Sequence, residues 1–462
     1  MSQARPMRIE RDTMGEVEVP ADAYFGAQTM RAVENFPIGD VIMPKAFVRS
    51  LALLKKAAAE VNVELGGLDR RRGDAIVQAA QEVADGVHGD QFPISVFQTG
   101  SGTSSNMNAN EVIASRANEL LCGSRGSKGE VHPNDHVNKG QSSNDMIPTA
   151  IHLAAMLEMQ NDLVPGLQEL ETALRKKACE FWPVIKTGRT HLQDATPIRL
   201  GQEFLGYADQ MKLVIDRCQN EIKALGMAAL GGTAVGTGIN SAPEFAGKVL
   251  AKVARETGVP IVETPYHFVA QSTIDGLVAA SGTLRLVAVA LTKIANDIRW
   301  MSSGPRAGIG ELALPELQPG SSIMPGKINP VIAESLIMIA AQVIGYDATV
   351  TIAGQAGNFE LNVMLPVVTY DLLNGIELLS AGSRNFARKA VVGVTATEHG
   401  PEMVERGLML VTALAPAVGY DAAAAIAKEA VATGGTIREV ARRKTELSDD
   451  ELNKLLDPAS MV

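Results

Sequence analysis

The middle of the chain contains a series of long helical segments, and this feature constrains the fold more than any other. The predicted lengths mostly exceed the globular average of about 12 residues. Long rods with small residues between them pack as a helical bundle, which oligomerisation can extend. The apolar pattern predicts these helices at about residues 149–179, 200–225, 243–257, 276–301, 330–353 and 361–391.

The composition favours the same architecture. Hydrophobic residues make up 46% of the chain but aromatic residues only 4%, which favours closely packed helices over a β-sandwich. A chain of 462 residues exceeds the size of a single core, so we expect a mainly all-α fold with several domains. The other segments are predicted as an irregular arm at 7–39 with a short hairpin near 16–20, helices at 46–65, 69–85 and 106–121, loops at 86–105 and 123–148, and shorter helices from 392 to a final helix capped at Ser448.

Charge and cysteine usage exclude several classes of function. The net charge of -10 and pI near 5.4 disfavour nucleic acid and anionic membranes as partners. Residues 1–11 lack an apolar signal core, and no run of about 18 uncharged apolar residues occurs. Cys122, Cys179 and Cys218 are far apart, as in reduced cytosolic proteins. We expect a soluble, cytoplasmic protein.

Residues 320–330 read GSSIMPGKINP and are predicted to form a reactive loop. The glycines and prolines are incompatible with a helix interior or a central strand, while two hydroxyls, an ammonium and an amide are available for chemistry. We predict that the next helix begins with Asn329 as N-cap and Pro330 at its first position. Glu334 would then lie about one turn into that helix.

Three further polar loops lie beside predicted helix ends, at 99–105 (TGSGTSS), 142–145 (SSND) and 188–194 (GRTHLQD). The first has free backbone N–H groups and a following helix start, which can bind an anion. The third is expected between two helices. Taken alone, the loops at 99–105 and 142–145 are compatible with plain N-caps. His191 in the third loop is compatible with a structural histidine, and Lys327 in the reactive loop with a solvated lysine. Four such loops in one helical bundle nevertheless favour a shared site.

The sequence gives no support for a metal or nucleotide site. Residues 231–238 lack the Rossmann spacing, so close helix packing or a substrate-side turn is the expected role. Residues 320–327 lack the P-loop spacing and its Ser or Thr. His132, His136 and His152 are close in sequence but have no Cys or HExxH partner. We expect no metal and no cofactor.

With these residues in hand, the chain resembles the class II fumarases of the fumarase/aspartase superfamily over nearly its whole length. Residues 320–330 match the superfamily signature GSSxMPxKxNP. Aspartases typically carry Gln where His191 stands and Ala where Gly326 stands, so both residues favour fumarase. An aspartate ammonia-lyase of the same superfamily is the alternative. An inactive helical scaffold with this fold is disfavoured, because the complete reactive set is present.

The resemblance implies fold, assembly and activity together. The implied reaction is the reversible hydration of fumarate to L-malate in the tricarboxylic acid cycle, without a metal. The implied assembly is a homotetramer whose active sites each take loops from three subunits. The implied domains are a mixed, mostly helical one at 1–138, a central long-helix bundle at 139–393 and a small helical one at 394–462.

The resemblance also implies the role of each site residue. Ser321 would be the base at C3, and His191, oriented by Glu334, would protonate the departing hydroxyl. Because a serine hydroxyl is a poor base, its alkoxide would need Lys327 and loop amides around it. Lys327 and Asn329 would stabilise the aci-carboxylate intermediate. The residues expected to bind the substrate carboxylates are Ser101, Gly102, Thr103, Ser142, Ser143, Asn144, Thr190, Ser322, Lys327, Ile328 and Asn329.

A second dicarboxylate site of the family has its counterpart in His132, Pro133, Asn134 and Asp135. The basic residue expected three positions before the histidine is replaced by Gly129. A plain turn with an Asx cap is therefore the alternative for this segment.

Overall fold

The structure is a computed structural model of one chain and describes residues 6–126 and 129–462. Two segments lie outside the described residues. Residues 1–5 belong to the stretch 1–11 in which no apolar signal core is expected, and residues 127–128 belong to the predicted loop at 123–148. The described part is mainly helical, as predicted. The helices are α1 (Ala27–Asn35), α2 (Lys45–Glu64), α3 (Arg70–Ala84), α4 (Thr103–Cys122), α5 (Ser143–Glu158), α6 (Val164–Glu180), α7 (Leu200–Ala224), α8 (Phe245–Thr257), α9 (His267–Ser272), α10 (Asp275–Met301), α11 (Val331–Gly354), α12 (Leu365–Phe386), α13 (His399–Val404), α14 (Ala415–Val418), α15 (Tyr420–Thr433), α16 (Ile437–Lys444) and α17 (Asp449–Leu455).

Strands are short and pair two by two within the described residues. The pairs β1–β2, β3–β4, β7–β10 and β8–β9 are antiparallel, and β5–β6 is parallel. The strands are β1 (Met7–Asp12), β2 (Gly15–Pro20), β3 (Ile185–Thr190), β4 (Gln193–Arg199), β5 (Met227–Ala228), β6 (Val262–Glu263), β7 (Leu312–Ala313), β8 (Gly357–Asn358), β9 (Leu361–Asn362) and β10 (Thr395–Ala396).

The long helices begin and end close to the predicted positions, with two exceptions. The helix predicted at 149–179 already begins at Ser143, and a π-helical turn at Met159–Leu163 joins α5 to α6. The helix predicted at 361–391 begins at Leu365 because the β8–β9 hairpin precedes it, and it ends in a π-helical turn at Ala387–Val391. The first boundary was wrong because Pro148 was taken as the end of a loop although it lies inside α5, and the second because the β8–β9 hairpin interrupts the apolar period.

The N-terminal arm is more regular than predicted. The hairpin is present as β1–β2, with Asp12 opposite Gly15 across the turn. Helix α1 was not predicted, because its N-cap Gly26 has no capping side chain. Instead, the buried carboxylate of Glu111 on α4 accepts hydrogen bonds from the N–H groups of Gly26, Gln28 and Thr29. A tertiary contact therefore caps this helix.

The chain divides into two compact units. The first comprises Met1–Pro165, Asp216–Ala288 and Ala341–Ser380, and the second comprises the remaining segments. Each boundary falls inside one of the helices α6, α7, α10, α11 and α12. The three-domain plan at 1–138, 139–393 and 394–462 stays a prediction.

Each unit has its own apolar core. In the first unit α2 packs on α3, α5 and α8, and Leu51, Leu54 and Ile76 are buried between them. In the second unit the helices from α13 to α17 enclose a cluster that includes Leu414 and Val440. The final helix α17 has the predicted cap, a reciprocal capping box between Ser448 and Glu451.

Two helices, α10 and α11, are long and apolar enough to cross a membrane by length and composition. Core helices of soluble proteins pass the same test, so these features alone are weak evidence for a span. In α11 only 33% of the apolar window is buried within the chain. Met338 and Ile352 on this helix are 67% and 64% exposed, which leaves a large apolar surface to be covered.

Candidate active site

The first polar loop turns sharply into α4. Gly102 is the N-cap of α4 and adopts a left-handed φ of 73°, and a Cβ there would lie 2.9 Å from Ile147. A Cβ on Gly100 would lie 1.9 Å from the carbonyl oxygen of Val363. Helix α4 begins at Thr103, three residues before the predicted start, and the Thr103 hydroxyl lies 2.9 Å from that of Ser101. Both glycines are therefore required for this close packing.

The second polar loop caps helix α5 and also contacts the segment at residues 231–238. Ser142 and Asp145 form a reciprocal capping box at the start of α5. The second oxygen of the buried Asp145 carboxylate accepts hydrogen bonds from the N–H groups of Gly231 and Thr233, at 3.1 and 2.9 Å. Burial raises the pKa of this carboxyl group. Residues 231–238 thus lie beside the second loop, and the expected choice between close helix packing and a substrate-side turn stays open.

The first unit brings the first and second loops together. Asn106, in the first turns of α4, donates its amide N–H to the Ser143 hydroxyl oxygen at 3.1 Å. Asn144 donates its side-chain amide to the carbonyl of Ala234 at 2.8 Å. The two neighbouring loops therefore carry six of the predicted binding residues, of which the first two are buried and the others half-buried: Ser101, Gly102, Thr103, Ser142, Ser143 and Asn144.

The segment predicted as a second dicarboxylate site is a capped turn. The His132 ring Nδ1 accepts hydrogen bonds from the N–H groups of Asn134 and Asp135 and caps a π-helical turn at Pro133–Val137. The cap is a histidine, where an Asx residue was the expected alternative. The turn borders a cavity of about 350 Å³. A Cβ on Gly129 would lie 2.2 Å from the Asn118 side chain, so the missing basic side chain does not fit this backbone.

The third polar loop lies between α6 and α7, as expected, but it is part of a β-hairpin that was not predicted. His191 and Leu192 connect β3 to β4 and have φ angles of 55° and 59°. Two-residue hairpin turns of type I′ require this left-handed geometry and normally use Asn-Gly or Gly-Gly. Strained non-glycine residues of this kind cluster at functional sites. Thr190 and His191 are both exposed at the tip.

A buried charge cluster fastens the base of this hairpin. Arg189 forms two hydrogen bonds with the Glu311 carboxylate, at 2.7 and 3.0 Å. Lys186 lies 2.8 Å from Glu311 and 2.8 Å from Glu203. The side chains of Lys186 and Glu311 are only 2% exposed. Sequence reasoning missed this cluster because its members are far apart in the chain and match no motif.

The reactive loop at 320–330 is closed at its neck. The Gly320 N–H donates to the Lys327 carbonyl at 2.8 Å, and the Asn329 side chain donates to the Gly320 carbonyl at 2.6 Å. A Cβ on Gly320 would lie 2.3 Å from the Lys327 carbonyl oxygen, so only glycine fits. Asn329 therefore closes the loop and is not the N-cap of α11. That helix begins at Val331, and the Pro330 carbonyl accepts its first hydrogen bond.

Ser321 lies inside this closed loop. Its hydroxyl oxygen accepts hydrogen bonds from the N–H groups of Ile323 and Met324, at 3.2 and 3.0 Å. These are the loop amides that a serine alkoxide would need. Lys327 belongs to the same loop and is exposed. The other predicted residues of this segment are the exposed Ser322 and Ile328 and the half-buried Glu334 in the first turn of α11.

The second unit contains His191, Ser321, Lys327 and Glu334, but the described contacts include no hydrogen bond that joins the hairpin tip to the loop or to Glu334. Their grouping in one site therefore stays a prediction. Across residues 6–126 and 129–462, no three His, Cys, Asp or Glu side chains gather in a way that could hold a metal ion.

Sequence comparison identifies the class of protein. Residues 15–345 match the family described as Lyase, and residues 410–462 match the family described as Fumarase C C-terminus. The helical fold, the closed GSS loop and these matches define a lyase. Similarity to curated and solved proteins narrows the class further.

The chain is 52% identical to the class II fumarate hydratase of Methylorubrum extorquens, over 98% of this chain and 97% of the relative. It is 51% identical to the mitochondrial fumarate hydratase of Danio rerio, over 100% and 91%. The crystal structure of a class II fumarase from Schistosoma mansoni matches with a TM-score of 0.97 at 40% identity, over 99% of both chains. A fumarate lyase:delta crystallin from Brucella melitensis, bound to cobalt, matches with a TM-score of 0.95 at 46% identity, also over 99% of both chains. The chain belongs to the class II fumarate hydratases, which confirms the family predicted from the loop signature.

Proposed function

We propose that the chain catalyses the reversible hydration of fumarate to L-malate in the tricarboxylic acid cycle, with Ser321 as base and His191 as acid. In the dehydration direction Ser321 removes the proton from C3 of malate, which gives a dianionic aci-carboxylate. His191 then protonates the hydroxyl group that departs from C2 as water. The main catalytic task is to stabilise negative charge that grows in the transition state.

The observation that carries this proposal is the environment of the Ser321 hydroxyl. Two backbone N–H groups already point at its oxygen, so an alkoxide formed there would be stabilised without reorganisation of the loop. The exposed ammonium of Lys327 adds positive charge on the same loop.

The role of His191 follows from its chemistry and position. An imidazole titrates near neutral pH, which suits proton transfer to a leaving hydroxyl group. Because His191 projects from a strained hairpin tip, its position is set by the backbone. We assign Glu334 as its orienting partner, and Asn329 and Lys327 to the aci-carboxylate. The binding residues are the neutral donors predicted from the sequence, which fix the substrate without excess charge.

We further propose a homotetramer with active sites shared between subunits. In the single chain Ile323 at the reactive loop is 84% exposed, whereas this chemistry needs a site that admits one reacting water but is shielded from bulk solvent. The exposed apolar face of α11 provides the surface for subunit contact. The proposal includes a cytoplasmic location and a reaction that needs no metal.

The activity is tested by incubating the protein with fumarate in water and in ammonia and identifying the product. Malate supports the proposal, and aspartate as the only product would assign the aspartase reaction instead. Ser321→Ala and His191→Asn should each lower kcat by about two to four decades. Ser460→Ala and His399→Asn, which change the same residue types elsewhere, should not. Near-normal turnover by Ser321→Ala or His191→Asn would remove that residue from the mechanism.

A further inference from the structure

A buried lysine lies beneath the second polar loop. The Lys55 side chain, on α2, is completely buried, and among the described ion pairs none involves it. Its ammonium donates to the side-chain oxygens of Asn138 and Gln141, at 2.9 and 2.8 Å. Both residues belong to the turn that leads directly into Ser142 and Ser143. Its direct hydrogen bonds go to amide oxygens, and the buried Asp145 carboxylate is its nearby counter-charge. Burying a lysine with no direct ion pair is costly, so its position calls for an explanation.

The lysine is one of the groups that set the direction of the hydrogen bonds around it, together with the carbonyl of Gln141, which accepts from the Asn138 N–H at 3.2 Å. An ammonium group can only donate, so the Asn138 amide must turn its oxygen toward Lys55. Asn106 and Asn110 then have to present N–H groups to the same oxygen, at 3.2 and 3.1 Å. In agreement, the buried carbonyl oxygens of Asn106 and Asn110 have no hydrogen-bond partner among the described residues. The side-chain amides of Asn106 and Asn110 are thus oriented by the hydrogen bonds that their N–H groups donate, and their oxygens contribute none.

The chain of hydrogen bonds ends at a residue of the proposed site. Asn106 gives its second N–H to the Ser143 hydroxyl oxygen at 3.1 Å. Because this oxygen accepts from Asn106, the Ser143 hydroxyl hydrogen is free to point outward. An outward O–H can donate to a substrate carboxylate, which only accepts.

We propose that Lys55 is a positioning residue that keeps Ser143 oriented as a hydrogen-bond donor to the substrate dicarboxylate. It acts through Asn138 and Asn106 and touches no substrate. Without the lysine the Asn138 oxygen loses its donor at 2.9 Å, and only the hydrogen bond from its own N–H to the Gln141 carbonyl, at 3.2 Å, still favours this orientation. The Asn138 amide is then freer to rotate, Asn106 can present its oxygen to Ser143, and the hydroxyl turns inward. This inference rests on the proposed function, in which Ser143 binds a substrate carboxylate.

The test is a double-mutant cycle between Lys55→Met and Ser143→Ala on the full-length protein. The readouts are KM and kcat for fumarate and the dissociation constant of succinate, an unreactive dicarboxylate. Lys55→Met should raise KM and the succinate dissociation constant by about tenfold to a hundredfold, with kcat changed by less than about threefold. In the Ser143→Ala background the same substitution should change KM by less than about threefold. Lys45→Met, at the exposed start of the same helix, should change neither KM nor the succinate dissociation constant.

A second variant covers the case in which Lys55→Met does not fold. Asn106→Leu removes the link to Ser143 but leaves both hydrogen bonds of Lys55 in place. It should reproduce the rise in KM and should also be non-additive with Ser143→Ala. The inference would be overturned if Lys55→Met or Asn106→Leu changed KM equally in wild type and in the Ser143→Ala variant. It would also be overturned if either substitution left the KM of the wild-type background unchanged. A wild-type protein that neither converts fumarate nor binds succinate would instead refute the proposed function.

Discussion

The charge cluster under the His191 hairpin makes a quantitative prediction about stability. Glu311→Gln keeps the shape of the side chain but removes the charge that faces Lys186 and Arg189. Breaking a buried ion pair by removing one partner costs about 3–5 kcal/mol, because the other charge stays buried without compensation. Lys186 keeps its contact with Glu203, which favours the lower end of that range. We expect a loss of about 3 kcal/mol in the free energy of unfolding.

The chain contains a matched control for this substitution. Glu169 and Arg388 form a similar two-point pair, but their side chains are 35% and 62% exposed. Exposed pairs contribute about 0–1 kcal/mol, so Glu169→Gln should have little effect. The two variants thus share chemistry and differ in burial.

Urea unfolding followed by tryptophan fluorescence can measure the difference. Both tryptophans, Trp182 and Trp300, belong to the second unit, which also contains both ion pairs. Wild type and variants should be compared at one protein concentration, because subunit association would shift the midpoint. If Glu311→Gln loses no more stability than Glu169→Gln, the reasoning from burial is wrong. Glu311→Gln should also lower kcat, because Arg189 directly precedes Thr190 and His191.

The remaining predictions concern assembly, metal and pH. Mixing the inactive His191→Asn and Ser321→Ala variants should restore some activity through hybrid oligomers, and no recovery despite verified subunit exchange would argue for a site within one chain. Exhaustive chelation should leave activity intact, whereas a loss that iron restores would contradict a metal-free reaction. Burial lowers the pKa of Lys55 from 10.5 to about 7, against a smaller opposite effect of the Asp145 carboxylate. Between these values the unfolded chain binds more protons than the folded one, so wild type should gain about 1.4 kcal/mol per pH unit over Lys55→Met from pH 7 upward. Urea unfolding of both proteins between pH 6 and 9 measures this gain, and a constant difference would contradict the lowered pKa.

The helices could largely be predicted because their apolar period persists over many turns. The predicted helices at 46–65, 69–85, 200–225, 276–301 and 330–353 agree with the structure to within one residue at either end. The start of α5 was missed although its capping box is local, since Pro148 was taken as the end of a loop. Helix α1 could not be found in this way, because Glu111 caps it from a distant helix.

The sequence provides candidate site residues by type, whose roles stay predictions, but it does not provide their geometry. Gly320, Ser321 and Asn329 identify the reactive loop, and the signature gives them their chemistry. The two N–H groups at Ser321 depend on how the loop folds back, which no residue pattern specifies. The hairpin under His191 was missed because Gly188 interrupts the strand at an irregularity in the register and the turn lacks Asn-Gly.

The strained turn and the buried charges below it depend on each other. His191 and Leu192 adopt a backbone geometry that costs of order 1–3 kcal/mol per residue, so the hairpin would relax unless its strands were held. The Arg189–Glu311 pair supplies that restraint immediately next to the turn, from a residue more than a hundred positions away in the chain. Under the proposed mechanism, the position of the His191 imidazole therefore also depends on Glu311, which does not need to touch the substrate. A glycine at Leu192 would relieve the strain, but it would also free the tip, so the stability gained there should be accompanied by a loss in kcat.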